Sequence, residues 1–252
     1  MLNIVLPMAG RGSRFAKAGY TVPKPFIDVC GKPMIQRVVE NLRPRYDHRF
    51  IFICQQEHLV KFHGEDLLRS LTNDPVIIGI DYVTDGQLSS ALLARPFIDN
   101  EDPLMTANTD QYIDFDVNDY LSFMKNQSLD GLVMTMKADD PKWSFVRLSE
   151  STGLVVETAE KRVISDQATV GIYNFAKGKD FCEAADALIT KDLRVNGEFY
   201  ICPLYNELIS KGKRIGAYNI GSERDGMYGL GIPADLDFFL TTPIADRMRE
   251  MK

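Results

Sequence analysis

The chain runs to 252 residues, 45% hydrophobic and 25% charged, enough to fill one core and an ordinary length for a single α/β domain. Its formal net charge of −6 predicts no broad basic face and argues against nucleic acid as a partner. Cys30, Cys54, Cys182 and Cys202 are scattered without a C-x-x-C pair, which excludes a zinc ribbon or disulfide frame and suits core thiols in a reducing cytoplasm.

No apolar run approaches the roughly 20 residues that span a bilayer, and Met1-Leu2-Asn3 leads directly into a strand, so neither a membrane partner nor a signal peptide is expected. That strand is the apolar run Ile4-Val5-Leu6. It breaks into Pro7-Met8-Ala9-Gly10-Arg11-Gly12-Ser13-Arg14-Phe15, where small residues leave successive backbone N–H groups unobstructed. Such a turn is an anion cradle, and Arg11 and Arg14 add positive charge to it. Lys24 follows between Pro23 and Pro25, whose rings restrict the backbone and so restrict where the ammonium points. In an acidic chain this cluster of cations beside a glycine loop predicts a polyphosphate site. A P-loop is excluded, since no Gly-Lys-Ser/Thr follows, and so is the dinucleotide fingerprint, whose third glycine is here Phe15. Alone, G-x-G-S-R would also describe a strand-to-loop turn without a ligand.

With Gly31-Lys32-Pro33-Met34-Ile35 added, these segments resemble the signature of the sugar nucleotidylyltransferases, or NDP-sugar pyrophosphorylases. The resemblance implies one Rossmann-like, GT-A-like α/β domain over residues 1–252, with a mixed, mostly parallel central sheet and helices on both faces. Residues 1–115 would be mainly nucleotide-binding and 116–252 mainly acceptor-binding. It further implies that Leu6, Ala9, Gly10, Arg11, Gly12 and Ser13 line the nucleotide. Arg14 would hold the departing pyrophosphate and Lys24 the α-phosphate or the attacking phosphate, as the catalytic cations.

Further along, Met34, Ile35, Val38, Val39 and Leu42 repeat at helical spacing and stop before Pro44. Residues 50–54 form a continuous apolar run, as in a strand covered on both faces; a helix over 59–71 and a strand over 76–83 follow. The alternation predicts a parallel sheet with flanking helices. Thr84-Asp85-Gly86-Gln87-Leu88-Ser89-Ser90 is another strand–glycine–helix corner. In the family the comparable turn lies against the nucleobase, which implies Gly86 and Gln87 in the base pocket with Ser90 nearby. Next, Leu104-Met105-Thr106-Ala107 delivers Asp110 to the carboxyl end of a strand, where open α/β sheets bind ligands. A carboxylate there can hold Mg²⁺, which takes its remaining ligands from water and substrate phosphates; the family's metal-binding aspartate matches Asp110. Asp114, Asp116 and Asp119 suit a helix N-cap better.

A helix over 115–127, a strand over 132–137 and a hairpin of 145–148 with 154–157 come next. Glu160-Lys161-Arg162 would by itself be a solvated charge run. In the family a Glu-Lys pair at this point reaches the phosphorylated acceptor, the acid taking a hydroxyl and the ammonium a phosphate. A strand over 168–175 contains Gly171, which lets a ligand or backbone approach. A helix covers 181–189, and Asn196-Gly197-Glu198-Phe199-Tyr200 resembles an acceptor-side segment with Glu198 and Tyr200 facing substrate. The closing motif, Tyr228-Gly229-Leu230-Gly231-Ile232-Pro233, departs from the family at Gly229, where sugar 1-phosphate enzymes carry a second metal aspartate. Asp225, Asp235 and Asp237 are nearby, none at the matching place.

The expected reaction is Mg²⁺-dependent transfer of a nucleotidyl group from a nucleoside triphosphate to a phosphorylated small-molecule acceptor. The Gly229 departure and compact length resemble the branch with capsule-related cytidylyltransferases, including one acting on phosphorylated glutamine, so CTP is the preferred donor. Uridylyl, cytidylyl or thymidylyl transfer to a sugar 1-phosphate is the near alternative. A glycosyltransferase of the same architecture is a second class, but Asn108-Thr109-Asp110 stands in place of its Asp-x-Asp motif and it would not need Arg14 and Lys24. Relatives are often homo-oligomers, although no heptad here marks an interface.

Overall fold

Alternation along the strands sorts the chain into layers, with residues 1–250 described by a computed structural model. In β1 (Leu2–Pro7) the side chains of Leu2, Ile4 and Leu6 join one buried cluster and Val5 joins another. After a two-residue ribbon, β2 (Asp28–Val29) with β3 (Lys32–Pro33), the same split recurs in β4 (His48–Gln55), where Phe50, Phe52 and Cys54 face one way and Ile51 and Ile53 the other. A strand apolar on both faces needs cover on both, and helices supply it. Met34–Leu42 and Val117–Asn126 pack on the first face; Gly178–Thr190 and Leu204–Ser210 pack on the second. Asp116 caps Val117–Asn126 by accepting from the backbone N–H of Asn118.

The remaining strands are β5 (Val76–Ile80), β6 (Leu104–Ala107), β7 (Gln111–Ile113), β8 (Gly131–Lys137), β9 (Ser144–Leu148), β10 (Val155–Glu160), β11 (Gln167–Phe175), β12 (Ile215–Glu223) and β13 (Gly226–Gly229). They form one mixed sheet in the order β5-β4-β1-β6-β11-β8-β12-β13-β7, with β9 and β10 attached as a hairpin beside β11. The run β5-β4-β1-β6 is parallel, in register Ile4↔Phe50 and Val5↔Thr106, and β11 inserts antiparallel between β6 and β8. This is the Rossmann-like α/β architecture that the sequence predicts.

Two boundaries differ from expectation. The helix over 59–71 is two helices, Gln56–Lys61 and Gly64–Leu71, because His63 turns left-handed at φ 51° and Gly64 comes so near that a Cβ would stand 2.9 Å from the His58 carbonyl. The strand over 76–83 stops at Ile80: it is an edge strand, and its partner β4 ends at Gln55, directly opposite.

A third, smaller cluster bears directly on the site. Phe15, Ile27, Val29 and Met34 pack against Leu230, Leu236, Phe239, Ile244 and Met248. The terminal helices Pro233–Phe239 and Pro243–Glu250 therefore hold the chain on both sides of Lys24. Each large apolar side chain so buried contributes about 1.5–3 kcal/mol.

Candidate active site

The carboxyl ends of β1, β4 and β6 meet at one edge of the sheet. Met8 N–H donates to the Ile53 carbonyl (2.8 Å), so the loop leaves β1 alongside β4. Gln55, the last residue of β4, spans two segments: its Nε2 donates to the Ala9 carbonyl (2.6 Å) and the Tyr82 carbonyl (3.1 Å). Leu6 and Ala9 are buried, so they can offer a ligand only backbone, and the Ala9 carbonyl is already used. Gly10, Arg11, Ser13 and Arg14 are exposed. Gly12, at φ 57°, caps the short helix Ser13–Lys17. Among the described residues neither Arg11 nor Arg14 has an ion-pair partner within 4.0 Å, which leaves two cations at the cradle.

The loop touches the lysine, since a Cβ on Gly12 would lie 3.3 Å from Lys24 Cβ. Pro23 enters extended, Lys24–Phe26 makes a single 3₁₀ turn, and Pro25 is buried, an arrangement that aims the Lys24 side chain inward. Lys24 Nζ reaches Asp110 Oδ2 at 2.8 Å, with the two side chains 21% and 29% exposed. Residues 86 apart in sequence thus form one charged pair.

Asp110 is held by its backbone, its carbonyl accepting from Leu230 N–H (2.7 Å). Gly231 gives its carboxylate room, because a Cβ there would stand 2.6 Å from Asp110 Oδ2. Of the three aspartates near Gly229 in sequence, the fold brings one beside it. Asp235, on the first turn of Pro233–Phe239, has its Oδ2 only 3.3 Å from where a Gly229 Cβ would be, while Asp225 and Asp237 are exposed. Asp235 also lies 3.6 Å from Arg224. No cluster of three or more His, Cys, Asp or Glu occurs among the described residues. One or two carboxylates beside a phosphate cradle is nevertheless the donor set that Mg²⁺ takes, because substrate phosphates and water complete its shell.

Two residues from Asp110 a cavity of about 190 Å³ opens, lined by Asn108, Gln87, Glu160, Lys161, Gly171 and Tyr200 among others. Glu160 ends β10 opposite Ser144, the first residue of β9, and the Ser144 hydroxyl donates to its Oε2. Burial pushes the Glu160 carboxyl above the ordinary glutamate range, and that hydrogen bond partly opposes the shift. Lys161 adopts a left-handed φ of 51° and sends Nζ to the Tyr200 hydroxyl (2.6 Å), which in turn donates to Glu198 Oε2 (2.8 Å). Glu198 is placed by a tight turn in which Asn196 and Gly197 both have positive φ, bridging Val195 and Glu198. Burial, then the Glu198 hydrogen bond, raises the Tyr200 pKa.

The corner at 84–90 is built differently from expectation. The close approach that demands glycine at Gly86 (φ 106°) comes from the chain itself, since a Cβ would lie 2.5 Å from the Phe199 carbonyl. Gln87 turns into the cavity that Glu160 and Lys161 line, where Nε2 donates to Asn108 Oδ1. Ser90 is buried, its hydroxyl shared between Thr84 and the Gly86 carbonyl. At Gly171 (φ 75°) the approaching group is the Asn108 side chain, 2.1 Å from a would-be Cβ. The sequence reading missed Gln55, Asn108, Trp143 and Ser144. Only Ser144 had a usable signal, its place opposite Glu160 once a 145–157 hairpin is expected. A larger cavity, about 720 Å³, lies at the other edge, by the amino ends of β1 and β6.

This fold and this edge are those of a nucleotidyl transferase. Residues 3–189 match the nucleotidyl transferase family model, and the chain belongs to that family. Among its relatives, the mannose-1-phosphate guanylyltransferase catalytic subunit beta of Danio rerio is 25% identical over 185 residues, covering 69% of this chain and 50% of that protein. The chain spans about half the length of the curated relatives it matches. A nucleoside-diphosphate-sugar pyrophosphorylase from Vibrio cholerae RC9 superposes with a TM-score of 0.80 at 28% identity, over 95% of this chain and 100% of that one. The inositol-1-phosphate CTP transferase of T. maritima shares the fold, with a TM-score of 0.72 at 16% identity over 98% and 94%.

Proposed function

We propose that the chain transfers a nucleoside monophosphate from a nucleoside triphosphate to the phosphate of a phosphorylated small molecule, releasing pyrophosphate. The observation that carries this reading is the Lys24–Asp110 contact of 2.8 Å, with the glycine loop touching Lys24 and the Glu160–Lys161 cavity opening two residues from Asp110. An oxygen of the acceptor phosphate attacks the α-phosphorus in line, and the bond to the β-phosphate breaks with its electron pair leaving on pyrophosphate. The nucleophile is already anionic, so no general base is required. The protein's work is to align two mutually repelling anions, which can supply about 7–11 kcal/mol, and to neutralise charge on the phosphates.

Arg14 and Arg11 take the departing pyrophosphate, and Lys24 turns from Asp110 to the α-phosphate. The loop amides from Gly10 to Ser13 hold the triphosphate tail. Glu160 and Lys161 orient the acceptor, backed by Tyr200 and Glu198. Asp110 would hold Mg²⁺, with Asp235 the next nearest carboxylate; bound there, the ion supplies charge neutralisation on the phosphates.

CTP is the donor we put first and phosphorylated glutamine the acceptor, in cytoplasmic synthesis of a capsule polysaccharide precursor; Gly229 in place of an aspartate supports this. A sugar 1-phosphate acceptor is the second reading, supported by the names of the relatives and by the Asp235 carboxylate beside Gly229. The test is pyrophosphate release by purified protein with Mg²⁺, each of four nucleoside triphosphates and a panel of phosphorylated glutamine, mannose 1-phosphate, glucose 1-phosphate and inositol 1-phosphate. Release that needs both substrates is expected. No release from any pair refutes the activity, and release from another pair reassigns donor and acceptor.

A further inference from the structure

The glycine loop is held at its two ends and hardly at all between them. On one side Met8 N–H donates to the Ile53 carbonyl (2.8 Å); on the other the Gly12 carbonyl accepts from Phe15 N–H (3.1 Å) and Ala16 N–H (3.2 Å). Among the described residues, the backbone N–H groups of Ala9, Gly10, Arg11, Gly12 and Ser13 have no acceptor within the chain. That leaves them open to an anion. It also leaves the loop easy to open, because segments with few internal bonds open first. Packing does not restrain its tip either, since a Cβ on Gly10 would meet nothing within 4 Å.

One side chain supplies a restraint. Among the described residues, Gln55 makes the only hydrogen bond to the backbone of Ala9, Gly10 and Arg11, its Nε2 donating to the Ala9 carbonyl at 2.6 Å. The same nitrogen donates to the Tyr82 carbonyl at 3.1 Å. Carbonyl oxygens only accept, so both partners belong to the amide nitrogen, and its two hydrogens are both used. The base of the side chain is firm: Gln55 ends β4, which runs between β1 and β5, and stands opposite Ile80 of β5. The amide therefore ties the start of the loop to the sheet edge and to the chain just past β5.

We propose that Gln55 is a positioning residue: by pinning the Ala9 carbonyl it holds the Gly10–Ser13 amides in the conformation that grips a triphosphate. It acts through the loop and not on the reacting atoms. The use of that grip in turnover rests on the activity proposed above; the pinning of the loop does not, and the two are tested separately.

Two variants separate donation from shape. Gln55→Glu keeps the shape but sets carboxylate oxygens against two carbonyls; Gln55→Met removes both donors and leaves an apolar side chain of similar length. Arg11 and Arg14 are exposed, so trypsin reads loop opening through release of residues 1–11 or 1–14, followed by mass. Relative to other tryptic sites, cleavage there should quicken roughly tenfold in Q55M, the value of one neutral hydrogen bond, and further in Q55E, with circular dichroism melts near the wild-type midpoint. Inorganic triphosphate, a probe with neither base nor acceptor, should protect the wild-type loop and require a roughly tenfold higher concentration in Q55M. In turnover the nucleotide KM rises by a like factor and the acceptor KM stays in place. Wild-type cleavage rates in Q55E would show that only shape matters. Equal rises in both KM values, or two variants that do not fold, would mark a merely structural residue. Either result overturns the proposal, as does a wild-type loop that triphosphate leaves unprotected. Absence of pyrophosphate release from every substrate pair removes the activity, and the tryptic comparison of the three proteins still decides whether Gln55 pins the loop.

Discussion

Lys24→Met removes the charge and keeps the length of the side chain, and the geometry separates its two consequences. The first is structural. Lys24 and Asp110 form a partly buried pair at 2.8 Å, 21% and 29% exposed. Unit charges about 4 Å apart attract by about 4 kcal/mol at the effective dielectric near a protein surface, but exposure on both sides and the cost of desolvating the pair cut the net to about 1–2 kcal/mol. At this chain length each kcal/mol moves Tm by about 2–4 °C, so a drop of no more than about 8 °C is expected. The second consequence is catalytic. Loss of one cation aimed at developing charge lowers kcat by about 10²–10³, or roughly 2.7–4 kcal/mol. The catalytic loss exceeds the structural one, so K24M should stay folded and turn over hundreds of times more slowly. A circular dichroism melt reads the first quantity and pyrophosphate release at saturating substrates the second. If Lys24 and Asp110 act on the same phosphates, as proposed, K24M with Asp110→Asn should lose much less than the product of the single losses. A kcat within threefold of wild type would remove Lys24 from the mechanism, and an unfolded K24M would make the pair chiefly structural.

Two other perturbations probe the corner at Gly86 and the cavity floor. Gly86→Ala puts a Cβ 2.5 Å from the Phe199 carbonyl at a φ of 106°, so it should cost about 2–4 kcal/mol in urea unfolding; a change below 0.5 kcal/mol would show that Phe199 yields easily. For Glu160, burial favours the protonated form, so the carboxyl keeps its proton above the usual glutamate value of about 4.3. Acceptor KM should rise as pH falls through that raised value, and Ser144→Ala, which removes a hydrogen bond to the charged form, should move this acid limb to higher pH. A limb that moves lower, or stays in place, would show that Ser144 does not support the ionised carboxylate.

The glycine loop was legible because its information is local. Small residues after an apolar run expose amides whatever surrounds them, and Pro23 and Pro25 restrict Lys24 from either side. The strand and helix order was legible for the same reason, through periods of two and of about 3.6. Where the reading failed, a distant segment intervened. His63 breaks a helix that 59–71 would form alone, beside a Gly64 packed against Phe26 and His58. At Gly86 the sequence shows the turn but not the Phe199 backbone laid across it, nor the Asn108 side chain that Gln87 meets.

The amino-acid sequence by itself determined the layered α/β class, the exposed glycine loop after β1 and the separate cations and carboxylates around it. Only the tertiary structure decided which of them meet: Lys24 with Asp110, Asp235 beside Gly229, and Glu160 with Lys161 on one cavity wall. The physical reason is one of range. Backbone exposure and periodic burial are set within a few residues. Hydrogen-bond and ion-pair complementarity depends on distances of a few ångströms between segments tens of residues apart, and those distances exist only once the core has packed.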